Sequence, residues 1–183
     1  MSENIYKPYL MEIDQIVEET PDVRTFRLKF KNIEEAEKFS FKAGQFGEYS
    51  AFGEGESTFC VASSPTRKGY IECTFRKSGR VTKALANLET GDTVGFRGPY
   101  GNTFPIEQWE GKNLLYIAGG LALPPMRCVI CHTIDLRDKY KDLTIVYGAL
   151  SVADLVFTQD LKERADRPAI RLITTVDPGG QRP

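Results

Sequence analysis

The chain has 183 residues, of which 41% are hydrophobic and 27% are charged, a composition typical of a folded water-soluble protein. Its 24 basic and 25 acidic residues nearly cancel and form no long basic run, so the charge pattern does not support binding to nucleic acid or to an anionic membrane. No apolar run approaches the roughly 20 residues of a membrane span, and the first residues lack the apolar core of a signal peptide. We therefore predict a cytoplasmic protein without membrane insertion.

Six short runs in the first hundred residues have the pattern of β-strands. The clearest is the run at 23–30, in which Phe26, Leu28 and Phe30 alternate with polar or charged residues. Glycine and proline separate the runs, as expected at turns. The predicted strands lie at 9–17, 23–30, 45–51, 58–62, 70–75 and 93–96. This series predicts a small antiparallel β-barrel, with a flat sandwich as the alternative.

A short helix interrupts these strands after Gly79. Val81, Ala84 and Leu85, together with Leu88, share one helical face, and Gly91 stands where a helix often ends. The first amides of a helix have no partner inside it and carry partial positive charge, so this end suits an anionic phosphate. An ordinary capped surface helix explains the same pattern.

The pattern changes after residue 105. A continuous apolar run at 113–118 predicts a strand that is buried on both faces. A helix at 125–139, a buried strand at 143–147, a second helix with a capping-box-like start at 151–154 and a strand at 170–176 follow. This β-α-β-α-β order predicts half of a doubly wound nucleotide-binding sheet. We therefore divide the chain into a barrel domain at 1–105 and an incomplete α/β domain at 106–183.

The cysteines occupy apolar or strand-like contexts, where a free cysteine behaves mostly as a small hydrophobic residue. They are Cys60, Cys73, Cys128 and Cys131. The segment Cys-Val-Ile-Cys-His at 128–132 matches a haem-attachment pattern and also suggests a redox dithiol or half of a zinc site. However, the segment lies inside a predicted helix whose Val129, Ile130 and Ile134 should face the sheet. A packed helix is therefore the favoured interpretation, and no metal is assigned to this chain.

Several motifs together resemble the ferredoxin–NADP⁺ reductase superfamily. They are the Gly-Arg-Val-Thr turn at 79–82, the Gly-Pro-Tyr-Gly hinge at 98–101 and the Ala-Gly-Gly opening of the half-sheet at 118–120. The resemblance covers residues 9–177 and is closest to the electron-transfer branch. That branch includes hydrogenase gamma subunits, the beta subunit of anaerobic sulfite reductase and the electron-transfer subunit of dihydroorotate dehydrogenase. It implies FAD on the barrel and NAD(P)H on the parallel-sheet domain.

The resemblance places the isoalloxazine ring beside the strand at 57–61. Where the family has Arg-x-Tyr-Ser, this chain has Ser57, Thr58, Phe59 and Cys60, followed by Val61. Phe59 would lie beside the ring, and Cys60 would stand near the reactive nitrogen of the flavin. A thiol donates a weaker hydrogen bond than the serine hydroxyl of the family. Plain barrel core is the alternative for the last three of these residues.

The resemblance also places the FAD phosphates. Because a serine replaces the usual arginine of the motif, the phosphate charges are left to Arg76, Arg80 and the helix end at Val81-Thr82. The Thr82 hydroxyl can bind a phosphate, cap its own helix, or do both. The full set of implied FAD residues is Ser57, Thr58, Phe59, Cys60, Val61, Thr74, Phe75, Arg76, Gly79, Arg80, Val81 and Thr82.

In the second domain, the segment at 119–125 takes the place of the family's Gly-Gly-x-Gly-x-Ala-Pro dinucleotide loop. Ala122 replaces a glycine and Pro124 replaces an alanine, and both changes stiffen or crowd the loop. The family's Tyr-Gly-Ala-Arg motif appears with Leu150 in place of the arginine, so a cation is missing. The implied NAD(P) residues are Gly119, Gly120, Tyr147, Gly148 and Asp177.

Two hypotheses of function follow from the resemblance. In the first, the chain is an FAD-containing oxidoreductase subunit that moves electrons between NAD(P)H and an iron–sulfur partner such as a hydrogenase, a sulfite reductase or ferredoxin. In the second, it is a flavin-binding assembly or electron-relay subunit of a hetero-oligomer, without its own NAD(P)H dehydrogenase activity. The family's Cys-Gly-Pro motif and its [2Fe–2S] cysteines are not among the 183 residues. The [2Fe–2S] centre is thus expected in a missing C-terminal segment or in a partner.

Overall fold

The computed structural model describes residues 4, 6–165 and 170–179, except for the side chains of residues 164 and 165. The described residues form a six-stranded antiparallel sheet followed by a three-stranded parallel sheet. The predicted fold class is therefore confirmed. Among these residues, no helix combines the length and the apolar composition needed to cross a membrane.

The antiparallel strands fall close to the predicted runs. They are β1 (Tyr9–Thr20), β2 (Val23–Phe30), β3 (Phe46–Ala51), β4 (Gly55–Cys60), β5 (Ile71–Arg76) and β6 (Thr93–Tyr100). Their order in the sheet is β4-β3-β6-β1-β2-β5. The two edge strands meet just beyond the end of β4, where the Ala62 N–H donates to the Glu72 carbonyl at 2.7 Å. This contact brings the two edges of the sheet together into a barrel, although β4 itself pairs with β3 alone.

Aromatic side chains fill the barrel. Phe26 and Leu28 of β2 are fully buried, as their alternation with polar residues predicts. Phe26 meets Phe75 of β5 edge to face with ring centroids 5.0 Å apart, and Phe96 of β6 lies 5.1 Å from Tyr49 of β3. Such pairs add to the stabilisation from area burial alone.

The fully buried Tyr49 hydroxyl makes no hydrogen bond within the described part of the chain. A buried polar group without a partner costs about 1–3 kcal/mol. We therefore expect Tyr49→Phe to raise the free energy of unfolding by about 1 kcal/mol and the melting temperature by about 2–4 °C.

Tyr147→Phe is the matched control for this prediction. Tyr147 is also fully buried, but its hydroxyl accepts a hydrogen bond from the Val156 N–H at 3.2 Å. Removing that acceptor should lower the melting temperature because it leaves a buried amide unsatisfied. Thermal unfolding of both variants is the measurement, and equal losses in the two would refute the assignment for Tyr49.

The parallel sheet has the order β7-β8-β9. Its strands are β7 (Leu114–Gly119), β8 (Leu143–Ala149) and β9 (Ile170–Val176). The α-helices of the described residues are α1 (Ile33–Lys38), α2 (Arg80–Leu85), α3 (Leu123–Asp135) and α4 (Thr158–Ala165). Tyr116 of β7 and Ile145 of β8 pack with Val129 of α3 and Leu161 of α4 in one core cluster. Val23 at the start of β2 belongs to the same cluster, so the barrel and the parallel sheet pack against each other.

The prediction that β7 is buried on both faces was wrong. Leu115 and Ile117 are 61% and 67% exposed, whereas Tyr116 and Ala118, which alternate with them, are buried. Both α3 and α4 pack on the face that carries the buried pair. Successive right-handed crossovers that advance in one direction put their helices on one face, and among the described residues Leu115 and Ile117 lie exposed on the other face.

Three helices differ in their boundaries from the prediction. The helix predicted at 125–139 is α3 (Leu123–Asp135), and a 3-10 turn at Arg137–Lys139 follows it. The helix after β8 begins at Thr158, and the segment at 152–154 forms a 3-10 turn in which Ser151 Oγ donates to Asp154 Oδ2 at 2.7 Å. Helix α2 ends at Leu85, so Leu88 lies beyond it, and Gly91 (φ +95°) forms the turn before β6. Helix α1 had not been predicted, because it is six residues long and has no buried residue to produce an apolar pattern.

Candidate functional site

Strand β4, on which the flavin ring was predicted, is an edge strand of the antiparallel sheet. One side of it pairs with β3, in the register Ser57 with Tyr49 and Phe59 with Gly47. An edge strand presents backbone N–H and C=O groups that a ligand can use. The strand therefore offers a row of polar backbone groups beside its side chains.

The side chains of β4 and the residue after it differ in their environment. The Phe59 ring is half-buried, with its centroid 5.5 Å from those of Tyr49 and Phe75. The Cys60 side chain is half-buried, and burial raises the pKa of its thiol, so it stays protonated at neutral pH. Val61 is buried in the barrel core. Phe59 and Cys60 thus combine a fixed position with exposed surface, as a ligand-contacting pair requires.

The start of α2 lies beside the start of β4. A Cβ built on Gly55 would lie 3.5 Å from Val81 Cγ2, which fixes how close the two segments are. Thr82 Oγ1 accepts hydrogen bonds from the N–H groups of Gly79 (2.8 Å) and Ser78 (3.0 Å). It donates to the Gly79 carbonyl at 3.1 Å. The threonine hydroxyl therefore caps its own helix in this structure.

The two candidate phosphate ligands are both accessible and both paired with carboxylates. Arg80 Nε lies 2.7 Å from Glu54 Oε2, in the turn that leads into β4, and the arginine side chain is 74% exposed. Arg76 Nε lies 3.3 Å from Asp22 Oδ2 in the turn between β1 and β2. Exposed ion pairs contribute little stability, so a phosphate can replace the carboxylate at either guanidinium.

Two other predicted flavin residues have buried side chains. Thr74 hydrogen-bonds with Thr25 at 2.8 Å, and Phe75 lies in the barrel core beneath Phe59. Neither side chain presents surface to a ligand. The predicted FAD contacts of Thr74 and Phe75 stay predictions, and in this structure their side chains support β5 and Phe59.

The loop after β7 leaves room for a ligand. A Cβ built on Gly119 or Gly120 would meet no atom within 4 Å, and Gly120 has a φ of +52° that favours glycine. Gly119 lies opposite Gly148 in the parallel register, and Gly148 lies opposite Thr175. Exposed Asp177 follows directly after β9. The loop glycines and the aspartate therefore lie along the carboxyl ends of neighbouring strands, where nucleotides bind in open α/β sheets.

Tyr147 does not share this position. Its side chain is fully buried among core residues, and its hydroxyl is bound to the Val156 amide. The predicted NAD(P) contact of Tyr147 stays a prediction, and in this structure its side chain packs in the core of the parallel sheet.

The cysteine–histidine segment is part of the packed helix α3. Cys128 and Cys131 are buried, and burial raises the pKa of Cys128 to about 12. Burial also lowers the pKa of the half-buried His132. A group of three or more metal-ligating side chains does not occur among the residues that the structure describes.

One residue with an unusual environment was missed by the sequence reasoning. Arg127 of α3 is buried, and it lies four residues after the start of that helix. The available signal was that Arg127 is the sole charge in the otherwise apolar segment at 121–131. A lone charge in an apolar helical run requires buried partners, and these partners are described below.

Residues 10–104 match the family model described as the oxidoreductase FAD-binding domain, which covers 95 of the 183 residues. The chain belongs to this family. The matched segment contains nearly all of the six-stranded barrel, from the second residue of β1 to a point just beyond β6. The predicted resemblance to flavin-binding reductases is thereby confirmed.

Curated relatives of this FAD-binding chain are longer than it is. It is 39% identical over 178 residues to the sulfhydrogenase 1 subunit gamma of Pyrococcus furiosus, covering 96% of this chain and 61% of the relative. It is 31% identical over 152 residues to a probable dihydroorotate dehydrogenase B (NAD(+)) electron transfer subunit of Methanocaldococcus jannaschii, covering 82% of this chain and 51% of the relative. The chain therefore spans less than two thirds of each relative.

Solved structures confirm the two-sheet fold. A ferredoxin NADP⁺ reductase from Neisseria gonorrhoeae with bound FAD and NADP superposes with a TM-score of 0.76 at 20% identity, covering 96% of this chain and 74% of that one. The ferredoxin-NADP⁺ reductase of Plasmodium falciparum gives a TM-score of 0.77 at 14% identity, covering 92% of this chain and 70% of that one. At these identities the likeness establishes the fold alone.

The residues of the site fit an FAD. The half-exposed Phe59 ring offers an apolar surface for a planar ring system, and the edge of β4 offers backbone hydrogen bonds. Arg80 and Arg76 offer charge-assisted donors for a pyrophosphate. The fit rests on these side chains and on the strand edge, and the Thr82 hydroxyl is already bound by the N–H groups of Ser78 and Gly79.

Proposed function

We propose that this chain is the flavin-bearing part of an NAD(P)H-dependent oxidoreductase that passes electrons to an iron–sulfur partner. The observation that carries the proposal is the match of residues 10–104 to an FAD-binding oxidoreductase domain, with Phe59 and Arg80 at the surface of that domain. We further propose that residues 1–105 hold FAD and that residues 106–183 hold the nicotinamide dinucleotide.

Each residue of the site has a role in this proposal. When bound, FAD supplies the redox chemistry, accepting a hydride and releasing single electrons. Phe59 covers part of the ring and excludes water, while Cys60 places a neutral thiol beside it. Arg80 and Arg76 bind the pyrophosphate. Gly119, Gly120, Gly148 and Asp177, at the carboxyl edge of the parallel sheet, bind the dinucleotide.

The proposal places the iron–sulfur centre outside this chain. The relatives are described as a subunit of a sulfhydrogenase and as an electron transfer subunit of a dihydroorotate dehydrogenase, which supports a hetero-oligomeric assembly. A [2Fe–2S] centre would then be held by a C-terminal segment or by a partner subunit. A cytoplasmic location remains a prediction.

A relay or assembly subunit without its own dehydrogenase activity is the second candidate. Leu150, which replaces the family's arginine, is 67% exposed at the end of β8, where a cation would otherwise meet the dinucleotide. An exposed leucine cannot pair with a phosphate. This observation favours a weakened nicotinamide site on a chain that still binds flavin.

Replacing Arg80 or Arg76 with alanine tests the proposed FAD site. We expect the dissociation constant for FAD to rise about tenfold for each variant, because each loses a charge-assisted hydrogen bond to phosphate. Fluorescence titration of the apoprotein with FAD measures the change.

Glu54→Gln is the matched control. It removes the carboxylate that Arg80 pairs with and leaves the guanidinium available, so FAD affinity should stay equal or increase. Unchanged FAD affinity in both arginine variants would remove these residues from the site.

A further inference from the structure

The side chain of Arg127 joins helix α3 to the barrel and to α4. Its Nη1 donates to the Ala62 carbonyl at 3.1 Å and to Glu72 Oε2 at 2.5 Å, both in the barrel. Its Nε donates to Asp160 Oδ2 of α4 at 2.6 Å. The side chains of Arg127 and Glu72 are each only 8% exposed. These contacts form a buried ionic cluster between the two sheets.

The Arg127 guanidinium of this cluster stays positively charged. Burial by itself would lower the pKa of Arg127, but Glu72 and Asp160 outweigh it and raise the pKa above the ordinary range, so the guanidinium stays charged. The Phe157 ring lies 4.7 Å from the guanidinium carbon. Removing Arg127 would leave the buried Glu72 with only the more distant Arg27, at 3.4 Å, which is unfavourable. Breaking the contacts of Arg127 with Glu72 and Asp160 is therefore costly.

A second contact fastens the other end of α3 to the barrel. Asp135, the last residue of the helix, accepts a hydrogen bond from Thr66 Oγ1 at 2.5 Å. Its two carboxylate oxygens also accept from Arg67, at 3.1 Å from Nε and 3.0 Å from Nη2. The barrel partners of both contacts lie in the segment 62–72, between the end of β4 and the second residue of β5. Helix α3 is thus bonded to segment 62–72 near both of its ends, and Cys128 between them is hydrogen-bonded to the Gly44 backbone.

The two segments that meet here are the ones that carry the two proposed ligand sites. Helix α3 follows directly after the glycine loop at 119–122, and Ala62 directly follows the flavin strand residues 57–61. Apolar packing between the sheets resists separation but is not directional. The two hydrogen bonds from Arg127 to the barrel point in fixed directions, so they set the rotation of α3 relative to β4, and the bond to Asp160 holds the Arg127 side chain against α4.

We propose that Arg127 is a positioning residue, which holds the dinucleotide loop in one orientation relative to the flavin strand and so sets the approach of nicotinamide to flavin. The inference rests on the proposed function of the two sites. It predicts that loosening the Arg127 cluster slows transfer from the nucleotide without removing the flavin. Variants that weaken the ion pairs of Arg127 with Glu72 and Asp160 therefore test the proposal.

The test uses the full chain loaded with FAD and three variants: Asp160→Asn, Arg127→Lys and Arg127→Met. Hydrogen–deuterium exchange reports the protection of α3 and of segment 62–72, and it is also measured on the apoprotein. Anaerobic stopped-flow absorbance measures flavin reduction by NADH and by NADPH, and dithionite provides a reduction that does not use the dinucleotide loop. Lys139→Met, which breaks the exposed Lys139–Glu110 pair (2.8 Å), is the control.

We expect exchange in α3 to accelerate about tenfold in Asp160→Asn and more in Arg127→Met, with partial rescue in Arg127→Lys. The flavin content and the dithionite reduction should stay unchanged, while reduction by the nucleotide should slow about tenfold. If Arg127→Met does not fold, Asp160→Asn and Arg127→Lys decide the outcome. The control should match the unmodified chain in every readout.

The experiment distinguishes failure of the proposed function from failure of the positioning role of Arg127. If the unmodified chain binds no FAD or is not reduced by either nucleotide, the proposed function fails, and exchange in the apoprotein still reports on the cluster. If exchange or nucleotide reduction in Asp160→Asn and Arg127→Lys equals that of the control, the positioning role of Arg127 is overturned. Parallel slowing of the dithionite reduction would also overturn it, because the defect would then lie in the flavin site itself.

Discussion

Replacing Gly47 with alanine is expected to lower the free energy of unfolding by about 3 kcal/mol and the melting temperature by about 6–12 °C. A Cβ built on Gly47 would lie 2.2 Å from Phe96 Cε2 and 2.9 Å from the Arg97 carbonyl oxygen. Real side chains do not tolerate such distances, so β3 and β6 would have to move apart. Chemical denaturation followed by circular dichroism measures the loss.

Two further variants make the Gly47 result specific. Gly119→Ala adds the same methyl group to an open position, where no atom lies within 4 Å, and should leave stability nearly unchanged. Phe96→Leu added to the Gly47 variant should restore only part of the stability, because the backbone oxygen of Arg97 still obstructs the methyl group. A Gly47→Ala protein as stable as the unmodified chain would contradict the packing described for β3 and β6.

Phe75→Ala is expected to lower the free energy of unfolding by about 3–5 kcal/mol and the melting temperature by about 6–20 °C. The ring is buried between Phe26, whose centroid is 5.0 Å away, and Phe59, whose centroid is 5.5 Å away. Its removal leaves a cavity under the aromatic side chain that we place beside the flavin. FAD affinity should therefore fall along with stability.

Phe52→Ala provides the comparison, because the Phe52 ring is exposed. Its loss should change the free energy of unfolding by less than about 0.5 kcal/mol and leave FAD binding unaffected. Differential scanning calorimetry with and without FAD measures both effects. If the two phenylalanine variants unfold at the same temperature, Phe75 is not the core residue that the structure indicates.

The strands of the barrel could be predicted because their pattern of apolar and polar residues lies within each short segment of sequence. In β2, alternation of Phe26 and Leu28 with polar residues specified a strand with one buried face, and the structure has the same strand boundaries. The error in β7 has the opposite origin. The apolar Leu115 and Ile117 have the same composition as buried residues, and their exposure depends on which face the two crossover helices cover.

The site was predicted less completely than the fold. The accessible positions of Phe59 and Arg80 agree with the expectation from the resemblance, although contact with a flavin is still untested. The strand periodicity did not show that Thr74 is held by Thr25, because that partner lies 49 residues away. Arg127 was missed for the same reason, since its barrel partners are 55 and 65 residues distant in sequence. Such long-range pairing can be read only from the folded chain.

The visible absorption spectrum of the FAD-reconstituted chain, recorded without oxygen before and after NADH and then NADPH, tests the central claim most directly. The account predicts an oxidised flavin spectrum that stays with the protein through gel filtration and is bleached by one of the two nucleotides. A retained flavin that stays oxidised with both would favour the relay or assembly subunit. A chain that retains no flavin after reconstitution would contradict the assignment of residues 10–104 as its FAD site.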